Sequence, residues 1–350
     1  MAKLLAQTRM KWFPIDLPAA DSFKDQAIVI TGGTGGLGLA AAVHFVNLGA
    51  TEVIITSRNA SRGKSALATI ERETNGRSKG VVRTLDLDMN RNASIVAFAD
   101  EVKKLRAGRG GIDFVLLNAG LIGVEFTPAD EGWEQNLQVN TLGTALLALL
   151  LLPWMKAERA NRASPAHMAA IGSGQHLDPD IQTWAAWSAE GVLAHYNKPA
   201  NWPGAQVMYA TTKLLLQSAF NELAELAVGE DGRPEVILNT VCPGIVKTDL
   251  SRGYKKASYA FVVLAGVFTG LFGKSPENGA RAIVHTALTK EGEHGKFIRF
   301  YGSETEYRER ADAVIYGQAG KRMQAQVWAE MTGELAAKVP EVRNVLGPLR

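Results

Sequence analysis

In the stretch VMYATTKLLL, residues 207–216, Tyr209 and Lys213 stand four positions apart, about one helical turn, so a helix would carry both on one face. An ammonium there would favour the ionised form of the neighbouring phenol. With 7 Tyr and 38 Lys+Arg in 350 residues, chance alone produces such pairs often enough that this one needs independent company.

The strongest company is TGGTGGLG, residues 31–38, where an apolar strand runs into glycines and then into the helical pattern LAAAVHFVNLGA. Gly32, Gly36 and Gly38 have the spacing G-x-x-x-G-x-G, which lets the backbone turn tightly, approach a pyrophosphate and pack the new helix on a sheet. The helix N-terminus would face the phosphates, with Thr34 and Leu37 as further cofactor contacts. A second strand ends in TSRN, residues 56–59. In a dinucleotide fold an acid at this point would bind the free ribose hydroxyl of NAD, whereas Arg58 would pair with the 2′-phosphate of NADP, with Ser57 and Asn59 donating hydrogen bonds beside it. Asp86 and Leu87 in LDLD end a third strand, Asp86 placed to accept from the adenine amine. Asn118, Ala119 and Gly120 in LLNAG close a fourth with small residues beside the cofactor. VCPGIVKTDL, residues 241–250, follows a sixth strand and would bring Pro243, Gly244, Ile245, Val246 and Thr248 to the nicotinamide.

Positioning these residues requires parallel strands joined by helices. Short β-branched runs alternate with helical patterns from residue 26 onward, which predicts strands at 27–31, 52–56, 81–85, 114–117, 168–171, 236–241 and 296–301. Seven such strands imply an α/β doubly wound Rossmann fold with one parallel sheet. We expect an N-terminal extension over residues 1–23 and a single catalytic domain over 24–350. A net charge of +3 without a basic run argues against nucleic acid binding, and no Cys/His cluster has metal-ligand spacing. The single cysteine, Cys242, excludes an internal disulfide and suggests a reducing compartment. The first residues lack the apolar run of a signal peptide, so a cytoplasmic location is expected and the sequons at Asn59 and Asn92 would be unused.

In their order along the chain, TGGTGGLG, LDL, NAG, QVNTLG, AAIGS, YATTK and CPGIVKTDL resemble the short-chain dehydrogenase/reductase superfamily from about Lys24 to the C-terminus. SRN, SPENGAR and VWAEMTGELAAKVPEV are similar to its retinol dehydrogenase and WW-domain oxidoreductase branch, and to fungal relatives that tailor secondary metabolites. The resemblance implies Tyr209 as catalytic acid, with Lys213, Ser173 and Asn140 as its partners. Tyr209 would protonate the alkoxide formed when NADPH reduces a carbonyl, Lys213 would also hold the nicotinamide ribose, Ser173 would hold the substrate oxygen, and Asn140 would tie a water chain to the lysine. The reverse reaction, alcohol oxidation, remains open, as does a cofactor-sensing protein without turnover.

One departure stands out: Ser173 lies far before Tyr209 because a Trp-bearing insert, about residues 174–205, intervenes. Gln175, Trp184, Trp187 and Trp202 would line a roomy apolar substrate pocket, or the segment would pack as a satellite core. The apolar stretch 257–273 would form a substrate lid over about 250–275, a peripheral membrane contact or a subunit interface. The helices TLGTALLALLLLPWM and YATTKLLLQSAFNELAELA are apolar on more than one face, which suggests a homodimer. The expected substrate is a bulky apolar ketone or secondary alcohol, such as a polyketide or terpenoid intermediate.

Overall fold

The computed structural model describes residues 8–248 and 270–346. Its strands are β1 (Ala27–Ile30), β2 (Glu52–Ser57), β3 (Val82–Asp86), β4 (Phe114–Leu117), β5 (Ala166–Ile171), β6 (Val236–Cys242) and β7 (Phe297–Arg299), each boundary within two residues of the sequence expectation. All pair in parallel, in the order 3-2-1-4-5-6-7. Helices cover both faces, so β1, β2, β4 and β6 are buried at every position and read as apolar runs rather than alternations. The chain changes direction across the sheet between β1 and β4. At such a switch point the C-terminal strand ends leave a crevice.

On one face, α1 (Gly36–Asn47), α2 (Ala60–Glu73) and a helix at Pro276–Thr286 pack around Phe23, Phe45, Ile28 and Ile283. The other face carries α3 (Asn92–Arg106), then α4 (Gln135–Leu137), which passes through a π turn at Gln138–Leu142 into α5 (Gly143–Ala157), and α6 (Ala205–Leu226). With the Pro276–Thr286 helix as α7, the chain continues through α8 (Glu304–Ala311), α9 (Gln318–Lys338) and α10 (Glu341–Leu346). Residues 135–161 are long and apolar enough to cross a membrane, but 89% of that window is buried inside the protein, which makes it a core helix. The second apolar faces of α5 and α6 meet α10 and α9 of the same chain. The feature that suggested a twin subunit is therefore accounted for within one chain.

The N-terminal segment is fastened far along the sequence. Met10 is buried, the Lys11 amine donates to the carbonyls of Gly270 and Leu271 at 2.8 and 3.0 Å, Arg281 donates to Ile15 O at 2.9 Å, and His285 Nε2 lies 2.7 Å from Asp16 O. Of the expected lid, residues 249–269 lie outside the described residues. Those that follow include a parallel bridge between Lys274 and Val246.

The insert packs on α9. Trp184 is buried and its indole donates to Tyr196 Oη at 3.2 Å, Trp187 stacks on His195 with centroids 3.6 Å apart, and Trp202 meets Phe126 edge-on. The carboxylate of Glu330, on α9, accepts from the backbone amides of Val192 and Leu193 at 3.0 and 2.9 Å. Trp184 thus belongs to the main core and Trp187 packs against it.

Candidate active site

At the end of β1 the glycine corner is backbone held by two side chains, those of Thr31 and Asn118. The Thr31 hydroxyl accepts from the amides of Asn118 and Ala119, both at 2.9 Å, and the Asn118 carboxamide donates back to Thr31 O at 2.8 Å and Gly32 O at 3.2 Å. This seam locks the β1 and β4 ends together. Gly32 and Gly36 have φ of 66° and 53°, a region that side chains disfavour. A Cβ on Gly38 would come within 2.6 Å of Asn118 Nδ2 and 2.7 Å of Gly32 O, so its role is close packing of α1 on the sheet. Gly35 caps α1 without a side-chain bond, and no acid stands in the first turn, which leaves that turn's amides available to an anion. The cradle fits a dinucleotide pyrophosphate.

Beyond β2, Arg58 is exposed at the cleft and lies 3.8 Å from Asp88. Arg62, in the first turn of α2, lines the cleft as well, a second guanidinium that the sequence reading missed. Ser57 does not have the donor role expected of it. Its hydroxyl donates to Asn59 O at 2.7 Å, while Asn59 Oδ1 accepts from Arg62 N to cap α2 at 3.1 Å, leaving only the Asn59 amide hydrogens for a ligand. Asp86 is exposed at the end of β3 and is not among the cleft-lining residues; Leu87, Asp88, Met89 and Asn90 line it instead.

At the other end, α6 presents Tyr209 and Lys213 on one face, both more than nine-tenths buried, with the lysine amine 5.5 Å from the phenol ring centre. Burial pushes the Tyr209 phenol well above its ordinary range, reinforced by the nearby Cys242 thiol and opposed by a hydrogen bond with Ser173. Burial lowers Lys213 to about 8. Its amine donates to Ile171 O at 2.7 Å, where β5 ends two residues before Ser173. Asn140, inside the π turn, accepts from Leu121 N at 2.9 Å and donates to Leu121 O at 2.9 Å and Thr212 Oγ1 at 3.2 Å. Its side chain therefore braces the β4 loop against α6.

The two ends share one cleft of about 810 Å³, lined by Gly32, Thr34, Gly36, Leu37, Ser57, Arg58, Asn59, Leu87, Asn118, Ala119, Gly120, Tyr209, Lys213 and Thr248 among the anticipated residues. Ile122, Gly123, Val124, Glu125 and Gln135 join them unanticipated, forming an outer wall. Gly38, Asp86, Asn140, Ser173, Gln175, Trp184, Trp187 and Trp202 do not line it, and neither do residues 243–246. Those four run behind it: a Cβ on Gly279 would meet Val246 and Leu37 side chains, both at 2.8 Å, while Ile245 O accepts from Lys274 N at 3.1 Å. Among the described residues no group of His, Cys, Asp and Glu could hold a metal ion.

A family model described as short chain dehydrogenase matches residues 26–186. The chain is 32% identical to the short-chain dehydrogenase/reductase ffsI of Aspergillus flavipes, over 96% of this chain and 94% of that protein. It is 31% identical to phmF of Phaeosphaeria nodorum, a protein of the same description, over 93% and 90%. Among solved structures it is similar in fold to levodione reductase (TM-score 0.59, 19% identity, 83% of this chain and 99% of that one). It is likewise similar to a short-chain dehydrogenase/reductase from Burkholderia phymatum in complex with NAD (TM-score 0.56, 17% identity, 79% and 89%). With the parallel sheet, the glycine cradle and the Tyr209–Lys213 pair in one cleft, these matches over nearly the whole length mean that the chain belongs to the short-chain dehydrogenase/reductase family.

Proposed function

We propose that the protein is an NADP(H)-dependent reductase of a bulky, largely apolar ketone, such as a polyketide or terpenoid intermediate. The observation that carries this reading is a single cleft with two guanidiniums at one end and a buried Tyr–Lys pair at the other, its tyrosine hydrogen-bonded to a serine. The cofactor supplies the hydride. Residues 32–38 would hold its pyrophosphate on backbone amides, and Arg58 and Arg62 would meet the 2′-phosphate with charge-assisted bonds.

In this reading Tyr209 acts as general acid. Burial keeps its phenol protonated and ready to donate as the carbonyl oxygen gains charge. The Ser173 hydroxyl, set behind the cleft lining, orients the phenol through their hydrogen bond. Lys213, fixed by Ile171 O, places its positive end beside the phenol and favours the tyrosinate left after transfer. Leu121, Ile122, Val124 and Ile171 supply apolar cleft surface. They fit an apolar substrate in the way the tryptophans were expected to. Kinship at about 30% identity with fungal secondary-metabolite pathway reductases supports the same substrate class.

The test compares kcat/KM with NADPH and NADH on a panel of bulky ketones, for wild type and Arg58→Asp. A charge-assisted contact contributes about 1.5–3 kcal/mol, so the wild-type preference for NADPH should fall by roughly 10- to 150-fold in the variant. Equal wild-type efficiency with both cofactors would sink the cofactor assignment. A wild type most efficient on small oxo acids would sink the substrate class.

A further inference from the structure

Two asparagines grip the outer wall of the cleft. Asn136 and Asn140 lie four residues apart across the π turn, while the residues they hold, Gly123 and Leu121, lie two apart in the loop after β4. A helical spacing is thus matched to an extended one. Asn136 Oδ1 accepts from Gly123 N at 2.8 Å, and a Cβ on Gly123 would fall 2.8 Å from Asn136 Nδ2, so glycine is what lets the carboxamide reach the backbone.

Asn136 is itself held. Glu134 is fully buried, and its carboxylate accepts from Asn136 Nδ2 at 2.6 Å, Asn136 N at 2.8 Å and Leu137 N at 3.1 Å, with no ion pair to it among the described residues. Such a group is costly to bury and would not be retained by packing alone. The backbone amide of Glu134 donates to Asn197 Oδ1 at 2.7 Å, and Asn197 Nδ2 donates to Gly132 O at 3.0 Å. Asn197 belongs to the insert, which therefore reaches the cleft through a hydrogen-bond relay.

We propose that Asn136, held by Glu134 and through it by Asn197 of the insert, is a positioning residue that fixes the 121–124 wall against Tyr209 and so sets how well a bulky ketone fits. The proposal rests on the reductase reading for its substrate, and on the hydrogen-bond chain alone for its mechanics. Asn136→Ala leaves the Gly123 amide without its acceptor and a buried carboxylate without one donor.

The test uses the full chain with trans-1-decalone as the ketone probe. In Asn136→Ala, hydrogen exchange at residues 120–125 should accelerate, and KM for the decalone should rise about tenfold. kcat and the NADPH dissociation constant, read by fluorescence titration, should stay within about twofold. The double variant Glu134→Gln/Asn136→Asp reverses donor and acceptor between the two side chains, keeps every bond and should restore both readouts. Asn197→Ala should produce the same change at smaller size. Exchange and NADPH binding need no turnover, so inactivity on all ketones counts against the reductase reading alone. Unchanged exchange at Gly123 overturns the role of Asn136. So does a parallel loss of KM, kcat and cofactor affinity, which marks a general loss of structure.

Discussion

Around residues 31–38 the cleft is made of backbone, and around 174–205 a buttress is made of side chains. At the glycine corner, main-chain groups of Thr31, Gly32, Asn118 and Ala119 are stitched by two short side chains, the Thr31 hydroxyl and the Asn118 carboxamide, and a single added methylene at Gly38 has nowhere to go. The insert holds together through a tryptophan donating to a tyrosine, a tryptophan stacked on a histidine and a carboxylate of α9 capping a short helix. Backbone geometry tolerates few sequences and recognises a feature common to all dinucleotides. Side-chain packing tolerates many and is free to differ between substrates. In the proposed reading, cofactor binding falls to the rigid corner and selectivity to a wall that the insert supports.

The largest effect should come from the group between the two regions. Tyr209→Phe removes the proposed proton donor and should lower kcat by 10²-fold or more, on the order of 3 kcal/mol or above, while NADPH still binds in a fluorescence titration. Retention of most of the activity would place the acid elsewhere. Next, Trp184→Ala empties a fully buried site and should lower unfolding free energy by about 3–5 kcal/mol in a urea titration. KM for a bulky ketone in the surviving folded protein should change by less than about threefold, the reverse of what a pocket-lining tryptophan predicts. A large KM change with stability intact would return the insert to the pocket wall.

On the backbone side, Gly38→Ala should weaken NADPH binding by tenfold or more and cost about 1–3 kcal/mol of stability, since both nearest atoms belong to the stitched seam. Normal cofactor affinity in that variant would mean the corner is more compliant than its packing indicates. The smallest effect concerns Lys274, 2% exposed, whose amine has Met10 Sδ at 3.9 Å as its hydrogen-bond partner. Burial lowers it from 10.5 to about 8. The folded state therefore disfavours the charged form, a penalty fully present below pH 8 that fades as pH rises toward 10.5. Lys274→Met should stabilise the protein at pH 7 by about 1–3 kcal/mol, and the gain should shrink between pH 8 and 10 in thermal melts. A gain independent of pH would assign the effect to packing.

Legibility in the sequence followed the same divide. The central strands were readable because parallel strands buried on both faces must be apolar runs of a few residues, and β4 matched at both ends. The glycine corner was readable because its residues are consecutive. Where a site depends on pairing across long separations, local pattern carries no signal: Glu330 meets Val192 over 138 positions, and Trp133 meets Glu334 over 201. Asn136 stayed hidden for another reason. An asparagine in a helix is ordinary, and only the loop it touches makes it informative. The apolar faces of α5 and α6 looked unpartnered because α9 and α10, which cover them, come more than a hundred residues after α5.

The fastening of residues 8–17 onto residues 270–285 bears on how the chain comes off the ribosome. Contacts such as Lys11 with Gly270 and His285 with Asp16 span 259 and 269 positions. At about 5–20 residues per second the N-terminal segment waits on the order of tens of seconds before its seat exists. Through that interval β1 and the glycine corner can already pair with β2, while Met10 and its neighbours remain without their partners. The strap that opens the sequence is among the last pieces to dock, and closing it reports that synthesis has passed α7.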